Sequence, residues 1–285
     1  MIYEKWNPNQ SGFKALRQHP LFQNKLKRDI ESGEVFLALR KQKIDFYHMG
    51  RKLFSFDGLR FRTNVKLVAV LAGDPDGEVA EADLETAKFE TRFEAGYEEI
   101  KRNIVHYQTP EPAGLFHLCK DYSYARHQDA DCVVLDVEQS FITIDSPDER
   151  DRVALVLFRK STKELMFVEA KCFDNQELWP RAGCQPTVVQ KVVRCNAQIA
   201  SATREIVGSY ADYVGIVNEL LGTSLPIPES IPAQVRLLIF GFSENDGDDE
   251  LRTRFKQDYN ICTITRGSLQ GVTKPAISRY WWSEG

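Results

Sequence analysis

The chain has no run of 18 apolar residues, and its opening MIYEKWNPNQ lacks the basic-then-apolar pattern of a secretory signal. Neither a membrane span nor a leader is expected, which leaves the cytoplasm as the expected location. The six cysteines include no C-x-x-C pair and the five histidines have no paired spacing, so a structural zinc site is not expected and the thiols read as reduced. Internal repeats and low-complexity tracts are also missing. What is present, 42% hydrophobic residues over 285 positions, is enough for one large domain or two modest ones with a proper core.

The net charge of −4 excludes a chain that is basic throughout, but the charge is unevenly placed. Residues 1–70 hold 14 Lys/Arg against 6 Asp/Glu, a surplus of +8, so the remaining 215 residues carry −12. A basic N-terminal third suits a polyanion such as nucleic acid; the plain alternative is the solvated surface of ordinary strands.

After a helix-like start (FKALRQHPLFQNKLKRDIES), the stretch GEVFLALRKQKIDFYHMGRKLFSFDGLRFRTNVKLVAVL alternates apolar and polar residues. Gly50 and Asp57-Gly58 break it, which predicts a meander of antiparallel strands. An acidic connection, GDPDGEVAEAD, leads to helical spacing at Phe89, Phe93, Tyr97, Ile100 and Ile104. TPEP at 109–112 is expected to end that helix, since proline removes a donor, and the expected domain boundary lies there, dividing 1–110 from 111–285.

The second part begins with a helix in LFHLCKDYSYARHQ and then changes period. CVVLDVEQSFITI, RVALVLF and ELMFVEAKCF are three strand-like runs, followed by a long helix from about Val188 to Leu221, expected to break near Gly208 or Gly215. A strand (VRLLIFGF), a helix (DDELRTRFKQDY) and a last strand (ICTITRG) complete the order. Such mixing predicts an α/β sheet with helices on both faces.

Glu169 and Lys171 close the third of those strands. Residues two apart on a strand share a face, so a carboxylate and an ammonium stand together there. This pair suits a divalent metal held through oxygen beside an attacked phosphate; the plain alternative is a strand end that meets solvent. Glu138, mid-strand in VVLDVEQSF, can approach the same place as a further ligand or, like Asp136, face water. Asp174, Asn175 and Glu177 are candidates for capping the following segment, and Asp45 in KIDFYHMG reads as structural.

With an apolar run ending in Glu169-Ala170-Lys171, a preceding strand joined by the RKSTKE turn, and a following helix carrying Gln190 and Arg194, residues 112–242 resemble the PD-(D/E)xK nuclease superfamily. The resemblance implies a restriction-endonuclease-like core, a mixed sheet flanked by helices, here preceded by an N-terminal antiparallel β-rich domain. It implies a Mg²⁺- or Mn²⁺-dependent phosphodiesterase acting on nucleic acid, DNA ahead of RNA, and it leaves a homodimer open. It gives Glu169 the role of metal ligand, Lys171 that of a group facing the developing charge, and Gln190 a contact to the nucleic-acid backbone. A part in defence against foreign DNA is compatible with it, as are repair and recombination.

The sequence departs from the family pattern on the second strand. Arg152-Val153-Ala154-Leu155-Val156-Leu157 fits the family's run everywhere except at the metal-binding aspartate, where Ala154 stands. Asp151 is a candidate substitute ligand, but on a regular strand it projects from the opposite face and starts about 10 Å back at ~3.3 Å per residue, so only a bulge would bring it in. Ala154 thus reads either as an Asp-to-Ala replacement that stops cleavage or as the mark of a natural relative kept for binding. Intact Glu169, Lys171 and Gln190 favour the first.

Overall fold

A computed structural model describes residues 10–68, 78–80, 92–107, 109–142, 150–180, 184–231, 234–243, 248–279 and 282. Among the described residues, the strands form two five-stranded sheets. The first is antiparallel in the order β1-β2-β3-β4-β5: β1 Phe36–Leu39, β2 Ile44–His48, β3 Arg51–Phe56, β4 Phe61–Asn64 and β5 Glu78–Ala80. The second is mixed in the order β10-β9-β8-β7-β6: β6 Cys132–Ile142, β7 Arg150–Arg159, β8 Glu164–Cys172, β9 Arg236–Phe240 and β10 Thr263–Arg266. Strands β6, β7 and β8 run antiparallel in sequence, and β8, β9 and β10 are parallel, joined by helical crossovers.

The period-2 meander forms the first sheet as far as Asn64, but the apolar text that follows turns helical at Val65–Val68 instead of continuing as a strand. The expected helix around Phe93 to Ile104 is described as Tyr97–Asn103 with a 3₁₀ turn to Tyr107; Phe89 lies outside the described residues. The helical stretch stops at Tyr107, before TPEP, as the sequence pattern predicts, but TPEP also opens the next helix, which that pattern does not predict. Pro110 is the first residue of Pro110–Tyr122, a position where its missing N–H has no partner to lose. The long helix Thr187–Leu221 also differs from expectation. Its one non-helical residue is Ala202, at φ −125°, and neither Gly208 nor Gly215 breaks it. A short helix, Lys274–Arg279, follows the last strand.

One apolar cluster runs through both sheets and the helices packed on them, from Leu37 and Phe54 to Val156, Val168 and Leu238. Polar contacts also join the sheets. Arg40, just after β1, donates to Asp136 Oδ1 on β6 at 2.9 Å and to the Val137 carbonyl at 2.6 Å. Tyr210 of the long helix donates to the other oxygen of Asp136 at 3.0 Å, while Tyr124 and Tyr213 both donate to the Leu37 carbonyl. Asp136 is fully buried, so it does not face water, contrary to the expectation for it. Gly50, in the turn between β2 and β3, has φ +74° and lies so near the Pro112 carbonyl that a Cβ would collide with it. That close approach brings the first sheet against the N-terminal end of the Pro110–Tyr122 helix, beside the end of β8.

Among the described residues, no helix is long and apolar enough to cross a membrane.

Candidate functional site

The ends of β7 and β8, the middle of β6, the start of the Pro110–Tyr122 helix and the first turns of the long helix enclose a cavity of about 200 Å³. Phe36, Leu115, Phe116 and Val137 supply apolar wall, and Glu111, Glu138, Glu169, Lys171 and Lys191 supply the charge. Ala154 lies on its lining.

Sheet register explains why these residues meet. The last β7–β8 pair toward the cavity is Leu155↔Val168, so Ala154 and Glu169 are the next residues on each strand and face one another past it. On the other side, Glu138 falls between the pairs Val137↔Leu155 and Gln139↔Val153, which sets it across from Ala154. A row of three therefore crosses the sheet: carboxylate, methyl, carboxylate. Glu138 has φ +49°, a left-handed backbone that costs a residue with a Cβ about 1–3 kcal/mol and persists only where the surroundings enforce it. Its carboxylate accepts from Arg152 Nη1 at 2.9 Å.

Glu169 is 2% exposed and Lys171 6%. Glu169 Oε1 accepts from Lys191 Nζ at 2.7 Å and lies 3.4 Å from Lys171 Nζ, whereas Oε2 is buried with no hydrogen-bond partner. Burial raises the Glu169 pKa above the usual carboxylate value, and the two ammonium groups offset only part of that rise. For Lys171, burial works against the charged form, but Glu169, Glu111 and Glu177 outweigh it and the pKa is raised. Glu177 Oε2 is 3.1 Å and Glu111 Oε1 3.8 Å from its Nζ, so the lysine is charged and held by three carboxylates. Glu111 is itself oriented by Asn175 Nδ2 at 2.9 Å and the Cys172 N–H at 3.3 Å.

The sequence-derived candidates divide accordingly. Glu169, Lys171, Ala154 and Glu138 share the cavity. Gln190 is exposed and absent from its lining; the helix residue that reaches Glu169 is the next one, Lys191. Asp151 is committed elsewhere. It accepts two hydrogen bonds from Arg194, at 2.7 and 2.9 Å, and clamps β7 to the long helix away from the cavity lining. Asn175 does cap, its side chain accepting from the Glu177 N–H, while the Glu177 carboxylate turns to Lys171. Asp45 is buried near Arg40 and Lys43 in the first sheet.

Glu111 and Lys191 are not singled out by the sequence. Glu111 sits in a Pro-flanked segment that reads as a terminator, and Lys191 is one surface lysine among many until the helix is docked. The positive φ of Glu138 has no sequence signal.

A divalent cation requires more donors than this arrangement frees. Glu169 Oε2 is an open carboxylate oxygen, but the facing position holds a methyl group, Glu138 is engaged by Arg152, and two ammonium groups crowd the other Glu169 oxygen. Among the described residues, no group of three or more His, Cys, Asp or Glu side chains is disposed to hold a metal ion. The residues present do not fit a divalent ion as they stand. Lys171 and Lys191 both reach the Glu169 carboxylate on the lining of a partly apolar cavity.

No protein-family model, curated protein or solved structure matches the chain.

Proposed function

We propose that this chain has a PD-(D/E)xK-type nuclease core, restriction-endonuclease-like in fold, held in a non-cleaving form by alanine at position 154. The observation that carries the reading is the register: Ala154 faces Glu169, with Lys171 two residues further on, at one cavity wall. Any strand pair can end in a Glu-x-Lys. Here its glutamate, with one buried unpartnered oxygen, stands opposite a small residue in a cavity wall, and a buried polar atom without a partner calls for an explanation.

In this reading the parent form carries aspartate at 154 and is a Mg²⁺- or Mn²⁺-dependent phosphodiesterase acting on DNA. The chain with Ala154 keeps the fold, the lysines and the capacity to bind phosphate, and lacks turnover. Lys191 and Lys171 hold the Glu169 carboxylate in place; Glu111 and Glu177 hold Lys171 charged.

The second reading, a binding module that never cleaves, is favoured by the Glu138–Arg152 ion pair, which occupies the other carboxylate of the row. Cleavage separates the two. The Ala154→Asp protein, incubated with Mg²⁺ or Mn²⁺ and plasmid, single-stranded DNA or RNA, should cut at least one substrate, and Glu169→Gln in that background should abolish cutting. Failure of Ala154→Asp to cut any of them rejects the nuclease reading in favour of the binding module.

A further inference from the structure

A second concavity opens from the first. It is a groove of about 810 Å³ between the turn after β1, the β2–β3 hairpin and the β6–β7 edge. The groove shares Tyr47, Gly50, Pro112, Glu138 and Arg152 with the cavity, so the two form one continuous depression.

Its charge is opposite to that of the molecule. Among the described residues, Arg40, Lys41, Lys43, Arg51, Lys52 and Arg152 line it against the acids Asp45 and Glu138, in a chain whose net charge is −4. Much of this charge is already engaged: Arg40 binds Asp136 and the Val137 carbonyl, Arg152 binds Glu138, and Lys41 and Lys52 also have interaction partners, so a phosphate would compete for them. Lys43 Nζ is 3.8 Å from Asp45, a loose pairing. Arg51 reaches Thr109 through Nη2 at 3.2 Å, but its Nε is buried without a hydrogen-bond partner. A solvated face would spread such charges over a convex surface. Here the folding of the first sheet against Pro112 collects them on the walls of a groove, where field lines focus.

We infer that this groove is a phosphate-backbone track, along which a nucleic-acid strand passes from the Lys41–Lys43 turn over Arg51 and Lys52 to the cavity containing Lys171 and Lys191. The inference rests on the nuclease-core reading for the identity of the polyanion. At the junction, a phosphate competes with the Glu138 carboxylate for Arg152. The track gives the basic N-terminal third a definite role, since its contacts position the strand without reading its sequence.

The test is fluorescence anisotropy of short labelled single-stranded DNA, duplex DNA and RNA with the full chain over a salt series. Two lysines of the turn are reversed together, Lys41→Glu with Lys43→Glu, and neutralised in a second variant, Lys41→Gln with Lys43→Gln. A third variant, Lys27→Glu with Lys256→Glu, makes the same change in net charge at positions that line neither concavity. The track predicts that charge reversal in the turn weakens binding about tenfold or more at low salt, and that the slope of log K against log salt becomes shallower by about one per lysine removed. Neutralisation should show the same trend, and the distant pair should retain most of the affinity. Equal loss from the distant pair, no loss from the turn, or no binding by the parent chain overturns the track. Cleavage by Ala154→Asp with turn-independent binding removes the track alone; turn-dependent binding without cleavage removes the nuclease reading alone.

Discussion

Lys191 Nζ donates to Glu169 Oε1 across 2.7 Å, joining the long helix to the end of β8. The contact links fold and site, because the helix cannot shift along the sheet without exposing or stranding a buried carboxylate. Lys191→Met should therefore destabilise the protein by about 1–3 kcal/mol at neutral pH, the range of a charged hydrogen bond. The sign with pH follows from the raised Glu169 pKa. Ionising this carboxylate already costs stability above its folded pKa, and removing Lys191 raises that pKa further. The deficit should be largest near pH 7–8 and shrink as pH falls toward the ordinary carboxylate value of about 4.3. Urea denaturation at several pH values checks this; a pH-independent deficit contradicts it.

Asp29 should behave in the opposite sense. It is buried and accepts from Lys101 at 2.6 Å, Tyr97 at 2.9 Å and Arg28 at 2.9 Å. Burial alone would raise its pKa, but the hydrogen bonds from Lys101, Tyr97 and Arg28 outweigh it and the pKa is lowered. Its contribution is thus present above the unfolded value of about 3.9 and is lost as pH falls through the lower folded value. Asp29→Asn should cost about 1–3 kcal/mol at pH 7, the range for weakening hydrogen bonds to a charged group, and less at pH 3. Thermal melts of both proteins at the two pH values measure the difference.

Arg40 and Asp136 make the polar joint between the sheets. Arg40→Ala leaves the fully buried Asp136 carboxylate with Tyr210 and the Val137 N–H, and should cost about 3–5 kcal/mol. Arg40→Ala together with Asp136→Leu should recover part of that loss, since no charge is then stranded. Chemical denaturation of the two proteins decides; a double variant less stable than the single one would show that the pair contributes more than mutual compensation.

Much of the mixed sheet was legible. The runs read at 132–144, 152–158 and 164–173 correspond to the strands Cys132–Ile142, Arg150–Arg159 and Glu164–Cys172, and DDELRTRFKQDY matches the helix Asp248–Tyr259 residue for residue. Local patterning decides such elements, so no tertiary knowledge is needed. The site was legible only where one strand carries it. Glu169 and Lys171 share a face by the period of the strand, and Ala154 follows from counting along its neighbour. Gln190 against Lys191 is a question of how a helix rotates as it docks on a sheet, which one polar residue does not determine. Pro110 shows a different ambiguity: a proline ends one helix and begins another by the same chemistry, and only the chain on either side decides. The kink at Ala202 falls on neither candidate glycine, and nothing in its residue type marks it. Strand parity argues against Asp151 as a ligand, and its pairing with Arg194 gives it a structural partner instead.

The central claim is that position 154 is the missing member of a row with Glu138 and Glu169. Titration of Mn²⁺ into the Ala154→Asp protein, followed by calorimetry and by the loss of the free-ion electron paramagnetic resonance signal, tests it most directly. The account predicts that Ala154→Asp binds the ion at a site that the chain with alanine lacks, and that adding Glu169→Gln to Ala154→Asp removes that site. Equal Mn²⁺ uptake with alanine and aspartate at 154, or uptake that survives Glu169→Gln, would contradict it.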